Sequence, residues 1–327
     1  WILNVGDLKP MEFQLEFFLR MAWNMNDFTK DNLWEYSIAW AKRQFGEKYS
    51  NDISSIIRSY TKYNGRLKPE QLNNVELYSH ENYEEAETIL ADFQEITVLA
   101  ENIYDELPEN LKDPFFQIVL YPTKASMQVT ELYLEAAKNK LYAEQQRSST
   151  NIAAAVTEIL FEKDASLSFD YNKRTALGKW NHMMDQTHIG YTYWQQPDEN
   201  TKPEVQRIEL IDKASMDIFP KGILQLDNYT RKSKYIDVFN KGSEPFKFKA
   251  EASENWIVLN MTEGFVVKEK KLWIDIDWDA APKGELVGGT ETVVGSEGSA
   301  YTVNIHLFNP VEPARDTLVG FMETDGY

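Results

Sequence analysis

The chain opens on an unbroken apolar run. Trp1, Ile2 and Leu3 precede Asn4 and Val5, and Gly6, Asp7 and Pro10 then punctuate before an amphipathic run begins at Glu12. The pattern reads as a buried strand, a short loop and a helix. A buried strand needs neighbours, because its N–H and C=O groups must be paired. No second strand signal follows for about two hundred residues, far beyond the roughly dozen-residue links between neighbouring strands. Residues 1–5 are therefore expected to be the last strand of a parallel sheet whose earlier strands lie upstream.

Helical periodicity dominates from residue 10 onward. Phe13, Phe17 and Met21 share one face, and Leu33, Tyr36, Ile38, Trp40 and Ala41 form the inward face of a second helix, with Gly46 at its C-terminus. A third helix is expected from Ser50 or Asn51 to near Gly65. Ser79 is expected to cap a long helix with acidic residues in its first turn, where the helix dipole favours them. Another runs from near Pro114 to near Gln146, with Pro122 inside it. The Pro122 ring predicts a bend or break within a turn of Tyr121. A shorter helix covers residues 149–162. No strict heptad recurs, so the helices read as an antiparallel bundle rather than a coiled coil.

After Pro203 the period changes to two. Phe246, Phe248 and Ala250 alternate with Lys247, Lys249 and Glu251, and Leu272, Ile274, Ile276 and Val303, Ile305, Leu307 repeat the pattern. "RIELID", "KYIDVF" and "WIVLN" add strand-length runs, with turn signals at Lys241-Gly242-Ser243 and Gly288-Gly289. Roughly seven short strands at this spacing predict an antiparallel β-sandwich that folds on its own between about residues 205 and 310. The expected organisation is the last strand and helix of a parallel-sheet domain over residues 1–28, an all-α helical bundle over 29–203, the sandwich over 204–310, and a linker to a further domain over 311–327.

Composition narrows the partners. The 327 residues carry a net charge of −18 and no cysteine. Nucleic acid is excluded as a partner, since binding it relies on phosphate neutralisation by Lys and Arg. Disulfides, thiolate metal sites and cysteine nucleophiles are absent. No run of about 18 apolar residues exists, so no membrane span is expected. No P-loop, G-x-G-x-x-G, G-x-S-x-G or H-E-x-x-H occurs, and nothing implies a cofactor.

The densest chemistry lies in "GKWNHMMDQTHIGYTYWQQP", residues 178–197. Asn181, His182, Asp185 and His188 read as an acid–base or metal cluster. With no third ligand at a recognisable spacing, a packed helix-to-loop junction is the favoured reading. A third reading is a sugar-facing loop carrying Tyr191, Tyr193 and Trp194. Arg66, Lys68 and Glu70 form a turn able to hold a carboxylate, or an ordinary surface turn. Asp275, Asp277 and Asp279 are a calcium candidate, outweighed by a solvated strand face. Asn228-Tyr229-Thr230 and Asn260-Met261-Thr262 match the glycosylation sequon. Trp256 and Trp273 are aromatics that a binding sandwich could present.

Two stretches say more. "WILNVGDLKPMEFQLEFFLRMAWN" and "GKWNHMMDQTHIGYTYWQQP" resemble glycoside hydrolase family 115, the α-glucuronidases of glucuronoxylan, with support from "YNGRLKPE" and "VLYPTKAS". The resemblance implies an upstream (β/α)8 barrel that carries the acid and base, and an inverting hydrolysis that removes glucuronic or 4-O-methylglucuronic acid from a decorated polysaccharide. It implies that the segment alone is inactive, that the whole protein is periplasmic or extracellular in a bacterium, and that a homodimer is an open option. Asn4 matches an asparagine at the end of the last barrel strand that reaches the uronic acid, with Gly6 and Asp7 shaping its loop. The competing function is a non-catalytic carbohydrate-binding or scaffold module.

Overall fold

The computed structural model describes residues 2–6, 9–68, 71–72, 78–193 and 195–311. It separates into two units. One holds the helices up to Leu141 together with Asn151–Arg207, and the other holds Tyr142–Thr150 and the chain from Ile208 onward.

Residues 2–5 form no strand and join no sheet among the described residues, and Ile2 and Leu3 stay 99% and 44% exposed. Helix α1 (Glu12–Trp23) turns Phe13 and Phe17 onto Tyr36 and Trp40 of α2 (Leu33–Phe45). Gly46 ends α2 at φ 92°, a left-handed value that glycine takes without a side-chain clash. Tyr36, Trp40 and Ala41 are buried as expected, but Leu33, in the first turn, is exposed. Helices α3 (Ser50–Arg66) and α4 (Glu85–Glu106) complete this core with Ile53, Ile56, Ile57, Phe93 and Ile96.

Ser79 does not cap α4. Its hydroxyl accepts from the N–H groups of Glu81 and Asn82, closing a turn of its own, and the helix begins six residues later. Helix α5 (Glu109–Phe115) passes into a π-helical turn, Phe116–Leu120, before α6 (Tyr121–Glu144). The wide turn falls where Pro122, lacking an N–H, requires the regular ladder to give way. Helix α7 (Thr150–Phe169) is longer than the periodicity predicts and ends in a second π-helical turn, Asp170–Arg174. A second core joins α6 and α7 through Leu132, Tyr133 and Leu160.

The second unit is a sandwich of a four-stranded and a five-stranded sheet among the described residues. Its strands are β1 (Met216–Phe219), β2 (Ile223–Asp227), β3 (Lys234–Asn240), β4 (Phe246–Ala252), β5 (Ile257–Leu259), β6 (Glu263–Val266), β7 (Glu269–Ile276), β8 (Gly284–Gly295) and β9 (Ala300–Asn309). The orders are β1-β3-β7-β5 and β2-β9-β8-β4-β6. The alternating residues of β4, β7 and β9 bury the face that the period predicts.

Three expectations are corrected here. The sandwich is not wholly antiparallel, because β2 runs parallel to β9. "RIELID" forms no strand and contributes one isolated bridge, Ile211 to Gly242. Gly288 and Gly289 are no turn but lie within β8, and a Cβ on Gly289 would come within 2.6 Å of Ile257 and 3.1 Å of Trp256. Glycine there makes room for the facing sheet.

Candidate functional site

The stretch 178–197 is reached through backbone that favours few residues. After the π-helical turn, Ala176 and Leu177 stand at φ 49° and 56°, and His182 at φ 76°. Positive φ at non-glycine residues costs free energy, and such positions gather where geometry serves a site.

Asp185 sits at the centre of the first cluster. One carboxylate oxygen lies 2.5 Å from His182 Nδ1, and the other accepts from Asn172 Nδ2 at 2.8 Å. The amide oxygen of Asn172 accepts from the Met184 N–H at 2.9 Å, so Asn172 ties the cluster to the end of the helix. His182 and Asp185 are exposed, and among the described residues no second carboxylate joins them. An oriented imidazole is the arrangement of acid–base chemistry. Inverting glycoside hydrolysis, however, needs two carboxyl groups about 6.5–9.5 Å apart across the bond.

The second cluster anchors a loop. Ile189, fully buried, inserts into the core of α6 and α7. The Tyr133 hydroxyl accepts from the Gly190 N–H at 2.9 Å, and Asn200 Oδ1 accepts from the N–H groups of His188 and Ile189. His188 Nε2 meets the buried Asp164 at 2.8 Å, while Nδ1 faces the Gln186 carbonyl at 2.9 Å. Burial works against a charge on this ring, but the Asp164 hydrogen bond and charge and the Gln186 carbonyl outweigh it. Its pKa is raised above the ordinary 6.5. On this base the loop carries Tyr191 and Tyr193, the latter 61% exposed. Trp194 lies outside the described residues.

Lys9 and Trp180 bring the chain start to the same place. The Lys9 ammonium lies 5.3 Å from the centre of the Trp180 ring and pairs with Glu12, and Lys179 approaches that ring at 4.9 Å. Asn4 is exposed, and its Oδ1 accepts from the Gly6 N–H at 3.1 Å. The outward stripe of α1, Leu15, Leu19 and Trp23, lines a groove of about 500 Å³. Asp7 lies outside the described residues.

The other candidates disperse. Arg66 pairs with Asp92 at 2.9 Å and stacks on Tyr63, tying α3 to α4, and Glu70 lies outside the described residues. Asp275 accepts from the Ile276 N–H, and Asp277 accepts from the N–H groups of Asp279 and Ala280. No group of three His, Asp or Glu side chains among the described residues is placed to hold a metal ion. Asn260 Oδ1 accepts from the Trp273 N–H. Trp256 is 3% exposed and belongs to the core rather than to a binding face, and Trp273 packs on Tyr235 with ring centres 4.9 Å apart. Sequence reasoning missed Asp164, Asn172, Asn200 and Lys9. Only Asn200 stood near the motif, and the other three carry no local signal.

The helical unit thus holds an anchored loop and a contact between Lys9 and Trp180, and no complete acid–base pair is found among the described residues. Residues 1–71 match the model of glycosyl hydrolase family 115. No curated protein matches the chain. Among solved structures it is similar to a family 115 4-O-methyl-alpha-glucuronidase with specificity for decorated arabinogalactans. The identity is 17% and the TM-score 0.47, over 95% of this chain and 46% of that one. The chain thus spans about half the length of that relative. A family 5 xyloglucanase of Bacteroides ovatus follows at 20% identity and TM-score 0.25, over 32% of this chain and 21% of that one.

Proposed function

We propose that this chain is the C-terminal part of an inverting α-glucuronidase, acting on a polysaccharide decorated with glucuronic or 4-O-methylglucuronic acid. The observation that carries the reading is the family 115 match over residues 1–71, which includes the segment holding Asn4. The exposed Ile2 and Leu3 and the outward stripe of α1 support it, since an upstream barrel would cover that apolar surface. The catalytic acid and base then belong to that barrel, and this segment by itself is inactive. Asn4 reaches the uronic acid through its amide nitrogen, which is left over once Oδ1 has bonded Gly6. The loop of Tyr191 and Tyr193 offers flat apolar faces to sugar rings. A periplasmic or extracellular setting in a bacterium follows from a polymeric substrate, and a homodimer is compatible with it.

The test is release of glucuronic acid from decorated xylan and from decorated arabinogalactan by the full-length protein, with the 327-residue chain assayed beside it. Release by the full-length protein only is the expected result. No release from either polymer overturns the reading.

A further inference from the structure

The outer face of the five-stranded sheet carries a groove of about 550 Å³ at its β6 edge. Register places its side chains. Lys247 on β4 lies directly across from Phe265 on β6, and Lys249 lies across from Glu263 on one side and Val294 of β8 on the other. Phe265 is 51% and Val294 46% exposed, and both lysines point to solvent. Neither Lys247 nor Lys249 forms an ion pair among the described residues, although the chain has 52 acidic against 34 basic side chains.

Two unpaired ammonium groups beside an exposed aromatic ring, in so acidic a chain, are unusual neighbours. A protein of this charge repels anions at long range, so a locally positive groove is where an anion would be held. The groove is also partly apolar, which a bare inorganic anion has no use for. A uronic-acid-bearing glycan matches all its parts. Its carboxylate answers the lysines, its hydroxyls donate to Glu263, and the C–H face of a sugar ring packs on Phe265.

We propose that this groove is a second, non-catalytic binding site for an acidic polysaccharide chain, separate from Asn4 and the 178–197 loop. The proposal rests on the reading above for which polymer is presented, and its test is kept apart from hydrolysis. The 327-residue chain is titrated with glucuronic-acid-decorated xylo-oligosaccharides and with neutral xylo-oligosaccharides of equal length. The decorated chains are expected to bind and the neutral ones to bind about tenfold or more weakly, with affinity falling as salt is raised. Lys247→Ala/Lys249→Ala is expected to weaken binding about tenfold, and Phe265→Ala about fivefold, with unchanged melting because all three side chains are exposed. Absent binding, equal binding of both ligands, or variants that bind as the parent does each overturn the proposal. So does sensitivity to the lysines with none to Phe265, which would be charge attraction only. Glucuronic acid release by the full-length protein is scored independently. Binding without release overturns the glucuronidase reading and leaves the groove standing.

Discussion

His188 and Asp164, 24 positions apart in the chain, meet at 2.8 Å beneath the loop that carries Tyr191 and Tyr193. Both ring nitrogens of His188 face acceptors, the second being the Gln186 carbonyl. Only the protonated imidazole donates to both at once.

The helical unit should therefore lose stability as pH rises. The folded pKa of His188 is raised above its ordinary 6.5, so its contribution is fully present below about 6.5 and is lost as pH climbs through the folded value. Denaturant melts from pH 5 to 9 should show this decline. His188→Gln should flatten it, and His188→Ala should cost about 3 kcal/mol by leaving Asp164 buried without its partner. An unchanged pH profile in the variant would exclude the ion pair as its source.

Arg147 makes the corresponding arrangement in the sandwich unit. Its guanidinium, on the link between α6 and α7, lies between the rings of Tyr142 and Phe239 at 4.4 and 4.3 Å. It donates to Asp237 at 2.8 Å and approaches Glu269 at 3.4 Å. Burial pushes the Asp237 pKa up, while the guanidinium draws it back down. Arg147→Ala should destabilise the protein by on the order of 3–5 kcal/mol, measured by denaturant unfolding. Arg147→Lys should recover only part, since an ammonium has neither the fork nor the flat face. A fragment of residues 208–311 lacking Tyr142–Thr150 should melt well below the same unit in the intact chain.

Glu291 is fully buried on the inward face of β8, and among the described residues neither carboxyl oxygen has a hydrogen-bond partner. Burial pushes its pKa up from the ordinary 4.5 to about 8. The folded state then holds a proton that the unfolded state releases, so stability is greatest below about pH 4.5 and falls as pH rises to about 8. The loss should be on the order of 5 kcal/mol across that window. Glu291→Leu should remove this part of the slope and raise the melting temperature at pH 8. A variant that melts lower at pH 8 would mean that the carboxyl has a partner in solution.

Asn4→Ala, in the full-length enzyme, should lower kcat/KM by on the order of ten- to a hundredfold through loss of a substrate contact. The bond from Gly6 to Asn4 is exposed, so its removal should cost at most about 1 kcal/mol. Kinetics and a melting curve on this one variant separate the two roles, and unchanged kinetics would leave Asn4 as a loop cap only.

Local pattern determined a good part of this protein. Period 3.6 up to residue 162 and period 2 from Phe246 placed most of the helices and the inward faces of β4, β7 and β9, because each element buries one face and its period records which. Gly46 and Pro122 marked a helix end and an interrupted ladder through backbone constraints that travel with those residues wherever they stand. The wording of residues 1–24 pointed to a family whose model matches residues 1–71. What tertiary structure alone decided are the meetings of distant chain: Asp164 under His188, Asn172 behind Asp185, Lys9 over Trp180, and Arg147 among Tyr142, Phe239, Asp237 and Glu269. None has a local signature, since an aspartate on a helix or an arginine in a link reads as solvated until something covers it. The same holds for Gly288-Gly289, read as a turn and found in a strand. The reason for glycine at 289 is the side chain of Ile257 across the sandwich, and one-dimensional pattern carries no record of what packs from the facing sheet.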